Sequence, residues 1–155
     1  MTFEEAMTFV LHHEGGYVNN PHDPGGETNY GISKRQYPDL DIQAITPSQA
    51  LDIYRRDYWQ VCRCEELPEL IRLPLFDTAV NMGSSAAISM LQRACGANPD
   101  GVMGPATITQ VLKFSDIEQL RSSLLTERMT NYTINKEWAR FGAGWAMRVL
   151  EVALW

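Results

Sequence analysis

The chain has 155 residues, 45% of them hydrophobic and 21% charged, a balance that excludes a disordered or fibrous protein. Its formal net charge of −6 disfavours general nucleic-acid binding and attachment to an anionic membrane surface, because a phosphate backbone or acidic headgroups would repel it. No apolar run approaches the roughly 18 residues that a membrane span needs.

One compact domain over residues 1–155 is expected, with a soft seam near Gly96–Gly104. The three cysteines, Cys62, Cys64 and Cys95, are odd in number and make no disulfide framework. Cys62-x-Cys64 has no second ligand pair at metal spacing, so reduced thiols and no metal are expected. The opening Met-Thr-Phe-Glu-Glu lacks the basic and apolar regions of a signal peptide.

The predicted elements are nearly all helical. Thr2 and Glu5 form a capping box for a first helix, whose apolar stripe runs through Phe3, Ala6, Met7, Val10 and Leu11 until Gly15-Gly16 stops it. Residues 15–32 are rich in Gly, Asn, Pro and Asp and read as turns, with a short hairpin pairing Tyr17-Val18-Asn19 with Tyr30-Gly31-Ile32. A helical turn at Ser33–Tyr37 follows. Thr46, Pro47 and Gln49 then start a helix that runs to about Val61 and turns Ala50, Ile53, Tyr54 and Tyr58 inward.

A loop through Cys62–Pro74 precedes a helix over Leu75–Met82, with Gly83 as its stop and Ser84 as the cap of the next, Ser85–Cys95. Pro105 opens a short helix, Ser115 with Glu118 caps another that reaches Asn131, and a last helix covers about Lys136–Val152. Strand alternation is nearly absent. The fold class is therefore all-α, or α with one small β-hairpin near residues 16–32.

The stretch Glu14–Ile32 holds the chemistry. The first helix's apolar stripe, continued one step, lands on Glu14, and a carboxyl at the end of a buried stripe is costly unless neutral or paired. Glycosidic cleavage needs such a group, a carboxylic acid held protonated by an apolar setting, together with a second group that stays ionised in a polar one. Asp23, in a Gly/Pro-rich turn, suits the second role, and Thr28 offers a hydroxyl to a water. Tyr17 and Tyr30 can stack on sugar rings, and Asn29 stands beside them as a further sugar contact.

Each has a plainer reading. Glu14 can be a helix-end residue bonded to the loop, Asp23 an Asx-turn before Pro24, Thr28 a partner for loop backbone, and the tyrosines core-edge aromatics. His12 and His13 occupy adjacent helical positions about 100° apart and cannot chelate together, so no metal is expected there.

Glu14-Gly15-Gly16-Tyr17-Val18-Asn19-x-Pro21-x-Asp23-x-Gly25-Gly26-x-Thr28-x-x-Gly31-Ile32 resembles the signature of glycoside hydrolase family 108, the secretion-activator-like muramidases of phages, prophages and bacteria. Phe76–Gly83 is similar to the same family. Leu91-Gln92 with Asp100-Gly101-Val102-Met103-Gly104-Pro105 and Gly144-Trp145-x-x-Arg148 resemble its C-terminal, peptidoglycan-associated half. Asn20 stands where that family usually has Asp, and Ser33 where it has Thr. Ala146-Met147 fills a place where Asn is expected before Arg148.

The resemblance implies a lysozyme-like helical domain, with a muramidase region over 1–92 and a peptidoglycan-associated region over 93–155. The implied activity cuts the β-1,4 bond between N-acetylmuramic acid and N-acetylglucosamine. Glu14 would be the general acid, Asp23 and Thr28 would assist it, and no cofactor would be needed. Asp77 and Asn81 share a helix face (i, i+4) and would either bind acetamido or hydroxyl groups across the cleft or form a buried polar pair that fixes the helix against the 15–32 loop. Peptidoglycan glycan strands are the expected partner. A holin-type partner would release the protein from a bacterial cytoplasm to the wall. The alternatives are a lytic transglycosylase and a non-catalytic wall-binding or release-regulating protein.

Overall fold

The computed structural model describes residues 1–14, 16–19 and 26–155. Among these are seven α-helices and one three-stranded antiparallel sheet, the helical class expected. By contacts the chain divides into two units. One is Thr2–Arg56, and the other is Asp57–Trp155 together with Met1. The expected seam near Gly96–Gly104 lies inside the second unit.

In the first unit, helix α1 (Phe3–His13) starts on the expected capping box, with reciprocal bonds between the Thr2 and Glu5 side chains and backbones. Phe3, Ala6, Met7, Phe9 and Val10 are buried. Leu11, expected inside, is exposed, and Phe9 covers the core on the other flank of the same arc.

The sheet has three strands, and its pairing differs from the expected hairpin: Val18 and Asn19 pair with Thr28 and Glu27, while Tyr30 and Gly31 form a turn. Strands β1 (Val18–Asn19), β2 (Glu27–Asn29) and β3 (Ile32–Ser33) lie in that order, with Val18 opposite Thr28 and Asn29 opposite Ile32. Between β2 and β3, Tyr30 (φ 51°) and Gly31 (φ 74°) make a two-residue turn of the type whose central residues both need positive φ. The backbone of Gln36 and Tyr37 donates to Ser33 O, giving the expected turn there. Helix α2 (Pro47–Tyr54) begins on the Thr46/Gln49 capping box with Pro47 in its first turn. It then widens into a π-helical turn, Arg55–Trp59, rather than running on to Val61 as a regular helix.

In the second unit, a 3-10 turn (Cys64–Glu66) precedes helix α3 (Glu69–Met82). The expected loop through Pro74 is thus helix from Glu69 onward, with Pro74 inside it. A mid-helix proline costs about 3 kcal/mol. Burial of Ile71 and of every residue from Leu73 to Ala79 offsets that cost and also explains why α3 shows no one-sided pattern.

Helices α4 (Ser84–Cys95), α6 (Ile117–Thr133) and α7 (Trp138–Leu154) surround α3. Helix α5 (Pro105–Lys113) packs on α4. Gly83, not Ser84, stands at the N-cap of α4, and Asp116, not Ser115, caps α6 by accepting from Gln119 N at 3.0 Å. Cys62, Cys64 and Cys95 are buried and unbridged. Burial, with a hydrogen bond to Cys62, pushes the Cys64 thiol well above its ordinary value.

The Asp100–Pro105 segment is held from within. Gln92, buried on α4, donates through Nε2 to Asp100 Oδ1 (2.7 Å), Thr107 Oγ1 (3.0 Å) and Val102 O (3.1 Å). Its Oε1 accepts from Gly101 N at 2.9 Å. Gly101 has φ 75°, and a Cβ there would stand 2.4 Å from Ser85 Oγ, which accounts for glycine at that position.

Candidate active site

Helix α1 stops where its signature begins. His13 is the last helical residue, its Nδ1 3.0 Å from Phe9 O and its ring 4.5 Å from the Phe9 ring centroid. Glu14 is the C-cap. Its N–H still donates to Val10 O at 3.0 Å, but its backbone is extended (φ −88°, ψ 126°). The half-buried side chain lies against the β2–β3 turn. A Cβ built on Gly31 would be 2.5 Å from Glu14 Oε2 and 2.5 Å from the Tyr54 hydroxyl. Only glycine admits that approach, and its positive φ is also what the turn requires. Tyr54, buried at the end of α2, donates its hydroxyl to Tyr30 O at 2.8 Å and so ties the turn to the helix.

The first unit therefore brings together Glu14, the Tyr30-Gly31 turn and Tyr54. Tyr54 was expected only as part of an apolar helix face. The signal available was a tyrosine among buried positions, whose hydroxyl needs a partner.

The other candidates sort as follows. Tyr17 is exposed and donates to Glu27 Oε1 at 2.7 Å, a bond that pushes its phenol above the ordinary value. Thr28 is half-buried in the central strand, and alternation sends its side chain to the face opposite Asn29. Asn29 is buried, with Nδ2 donating to Ile42 O at 3.1 Å, so its amide braces the following loop instead of facing a sugar. Tyr30 is half-buried. Asp23 lies outside the described residues. A groove of about 580 Å³ also opens in this unit beside Tyr37, Ile45, Asp52 and Arg56, but none of the candidates among the described residues lines it.

Asp77 and Asn81 belong to the second unit. Asp77 is wholly buried on α3 between two guanidiniums. Arg128 Nη1 of α6 is 2.7 Å from Oδ2, and Arg148 Nη2 of α7 is 2.8 Å from Oδ1. That leaves Asp77 no surface for a sugar; its partners Arg128 and Arg148 fasten α3 to α6 and α7, a role that neither expectation named. Asn81 Oδ1 accepts from the Tyr132 hydroxyl at 2.6 Å, and Tyr132 Oη accepts in turn from Arg128 Nε at 3.1 Å. Trp145 stacks on Tyr132 at 4.9 Å.

A helical chain with a small antiparallel sheet and a carboxyl presented at the end of its first helix has the build of the lysozyme-like class. The glycosyl hydrolase 108 family model matches residues 7–83, the stretch that holds Glu14, the sheet and Tyr54. The solved structure of Brucella abortus SagA is similar over 98% of this chain and 91% of its own, with a TM-score of 0.89 and 33% identity. The chain belongs to the glycosyl hydrolase 108 family, whose type of function is that of a peptidoglycan hydrolase. No curated protein matches it.

Proposed function

We propose that this protein is an N-acetylmuramidase that cleaves the β-1,4 bond between N-acetylmuramic acid and N-acetylglucosamine, with Glu14 as the general acid. The observation that carries the reading is the seat of the Glu14 carboxyl. It is half-buried at the C-cap of α1 against the Tyr30-Gly31 turn, where only glycine leaves it room, and the Tyr54 hydroxyl ties that turn to α2. A proton donor to a glycosidic oxygen needs such fixing, because transfer works only within hydrogen-bond reach of the leaving oxygen. Membership of a glycosyl hydrolase family supports the same assignment.

In this reading Glu14 protonates the leaving oxygen as the C–O bond breaks. Asp23 and Thr28 then stabilise the oxocarbenium-like centre or hold the attacking water. The separation between the two carboxyls decides whether configuration is retained or inverted.

The test is Glu14→Gln assayed on purified cell walls. General acid catalysis is worth about 10²–10⁴-fold, so solubilisation should fall by at least about 100-fold with thermal unfolding unchanged. A folded variant that works at the wild-type rate removes Glu14 from the role. Mass spectrometry of the released fragments separates the chemistries: reducing ends support hydrolysis, and anhydro-muramic ends would make the enzyme a lytic transglycosylase. Binding to sacculi with no fragment released would leave a wall-binding protein.

A further inference from the structure

The outer face of α7 has no part in the site above. Gly142, Val149 and Val152 are the buried residues of this helix. Its exposed face carries Met147, Leu150 and Leu154, which are 57%, 58% and 87% exposed. Ala139 and Ala143 are exposed one to two turns before them, and the exposed charges of the helix are Arg140 and Glu151. At about 100° per residue these positions form one stripe, in which 140, 147 and 154 recur every seventh residue and 143 and 150 fall between them. That is the spacing of a helix–helix seam. A contiguous apolar stripe of this kind marks an interaction surface.

We infer that this stripe is a self-association surface, on which α7 of a second copy lies antiparallel about a twofold axis near Met147. Two features of the stripe fit a copy of itself. A twofold interface sets the same patch on both chains, so the patch must complement its own reverse. Side-chain size does so, because the small end (Ala139, Ala143) meets the large end (Leu150, Leu154) of the second copy. Charge does so as well, because Arg140 near one end comes within reach of Glu151 of the second copy.

A parallel pair would instead oppose Arg140 to Arg140 and Glu151 to Glu151, and like charges in register are unfavourable. A membrane fits less well. Helices that lie in lipid interfaces carry Lys and Arg along their polar flank, and this chain has a net charge of −6. One helix pair covers less than the roughly 800 Å² per partner of a standard interface, so micromolar rather than nanomolar association is expected.

The experiment is sedimentation equilibrium of the full chain from micromolar to several hundred micromolar. The mass should rise with concentration from one chain of 17.5 kDa towards two. Leu150→Glu should weaken association at least tenfold with thermal unfolding and wall activity unchanged. Arg140→Glu alone should weaken it, and Arg140→Glu with Glu151→Arg should restore it.

A single-chain mass at every concentration overturns the inference. So does a dimer indifferent to Leu150→Glu, which would use another face. A double swap that fails to restore association overturns the antiparallel arrangement. Binding to phosphatidylglycerol vesicles that is lost in Leu150→Glu, without self-association, assigns the stripe to lipid. Because mass is the readout, these outcomes do not depend on the muramidase assignment.

Discussion

At position 31 the chain has room for a hydrogen atom and nothing larger. A methyl group there meets Glu14 Oε2 and the Tyr54 hydroxyl at 2.5 Å, on a backbone with φ 74°. Gly31→Ala is therefore expected to lower the unfolding free energy by about 1–3 kcal/mol in denaturant titration and to cut wall solubilisation as Glu14 is displaced. Gly144→Ala is the control. Nothing lies within 4 Å of its added carbon, and in a helix the change should stabilise by roughly 0.5–1 kcal/mol. Equal effects of the two substitutions would show that the contact at 31 does not matter. Glu14 and Gly31 were both legible in the sequence, one as a carboxyl ending an apolar stripe and the other inside a dense motif. Asn29 was not. Its neighbours pointed to sugar binding, while its amide bonds to a carbonyl 13 residues on, a partner that only the folded loop supplies.

Helices α3, α6 and α7 are pinned by one carboxylate. Asp77 sits with Arg128 in full burial, and Arg148 lies on its other side. Removing one member of a buried pair costs about 3–5 kcal/mol because the remaining charge is stranded. Asp77→Asn should therefore destabilise by that order in urea titration, and a change below about 0.5 kcal/mol, the ordinary surface range, would refute the fastening role.

The Gln92 knot gives a gentler, pH-dependent case. Asp100 accepts from Val102 N at 2.9 Å and from Gln92 Nε2 at 2.7 Å, and these bonds hold its carboxyl below the ordinary aspartate value. A depressed carboxyl adds stability that is present above its unfolded value and lost as pH falls through the folded one. The stability gap between wild type and Asp100→Asn should thus be widest near neutrality and close in strong acid; a gap that grows on acidification would contradict this. At this scale, capping boxes marked the starts of α1 and α2, Gly83 and Gly96 bounded α4, and Pro105 marked the start of α5. The partners of Asp77 come from 51 and 71 residues away, and Pro74 hid the start of α3 from Glu69 onward, because buried packing overrode a local breaker.

Taken whole, an acidic chain meets an acidic polymer. With a net charge of −6 facing a wall that carries its own carboxylates, the encounter should be repulsive at long range. Raising salt from about 10 mM to about 150 mM shortens the screening length from roughly 30 Å to roughly 8 Å. The rate of wall solubilisation should rise across that range; a steep fall would reveal a basic patch that steers binding. Composition and periodicity sufficed for the helical class. They did not yield the strand Glu27–Asn29, in which only Thr28 favours a strand and the run is too short to alternate.

All three thiols are buried, and all three lie in the unit from Asp57 onward. A thiol-reactive dye mixed with the native protein should therefore colour only as fast as that unit opens, while events confined to Thr2–Arg56 stay invisible to it. The chain thus carries its own stopwatch for the unfolding of its larger unit, with no label to engineer.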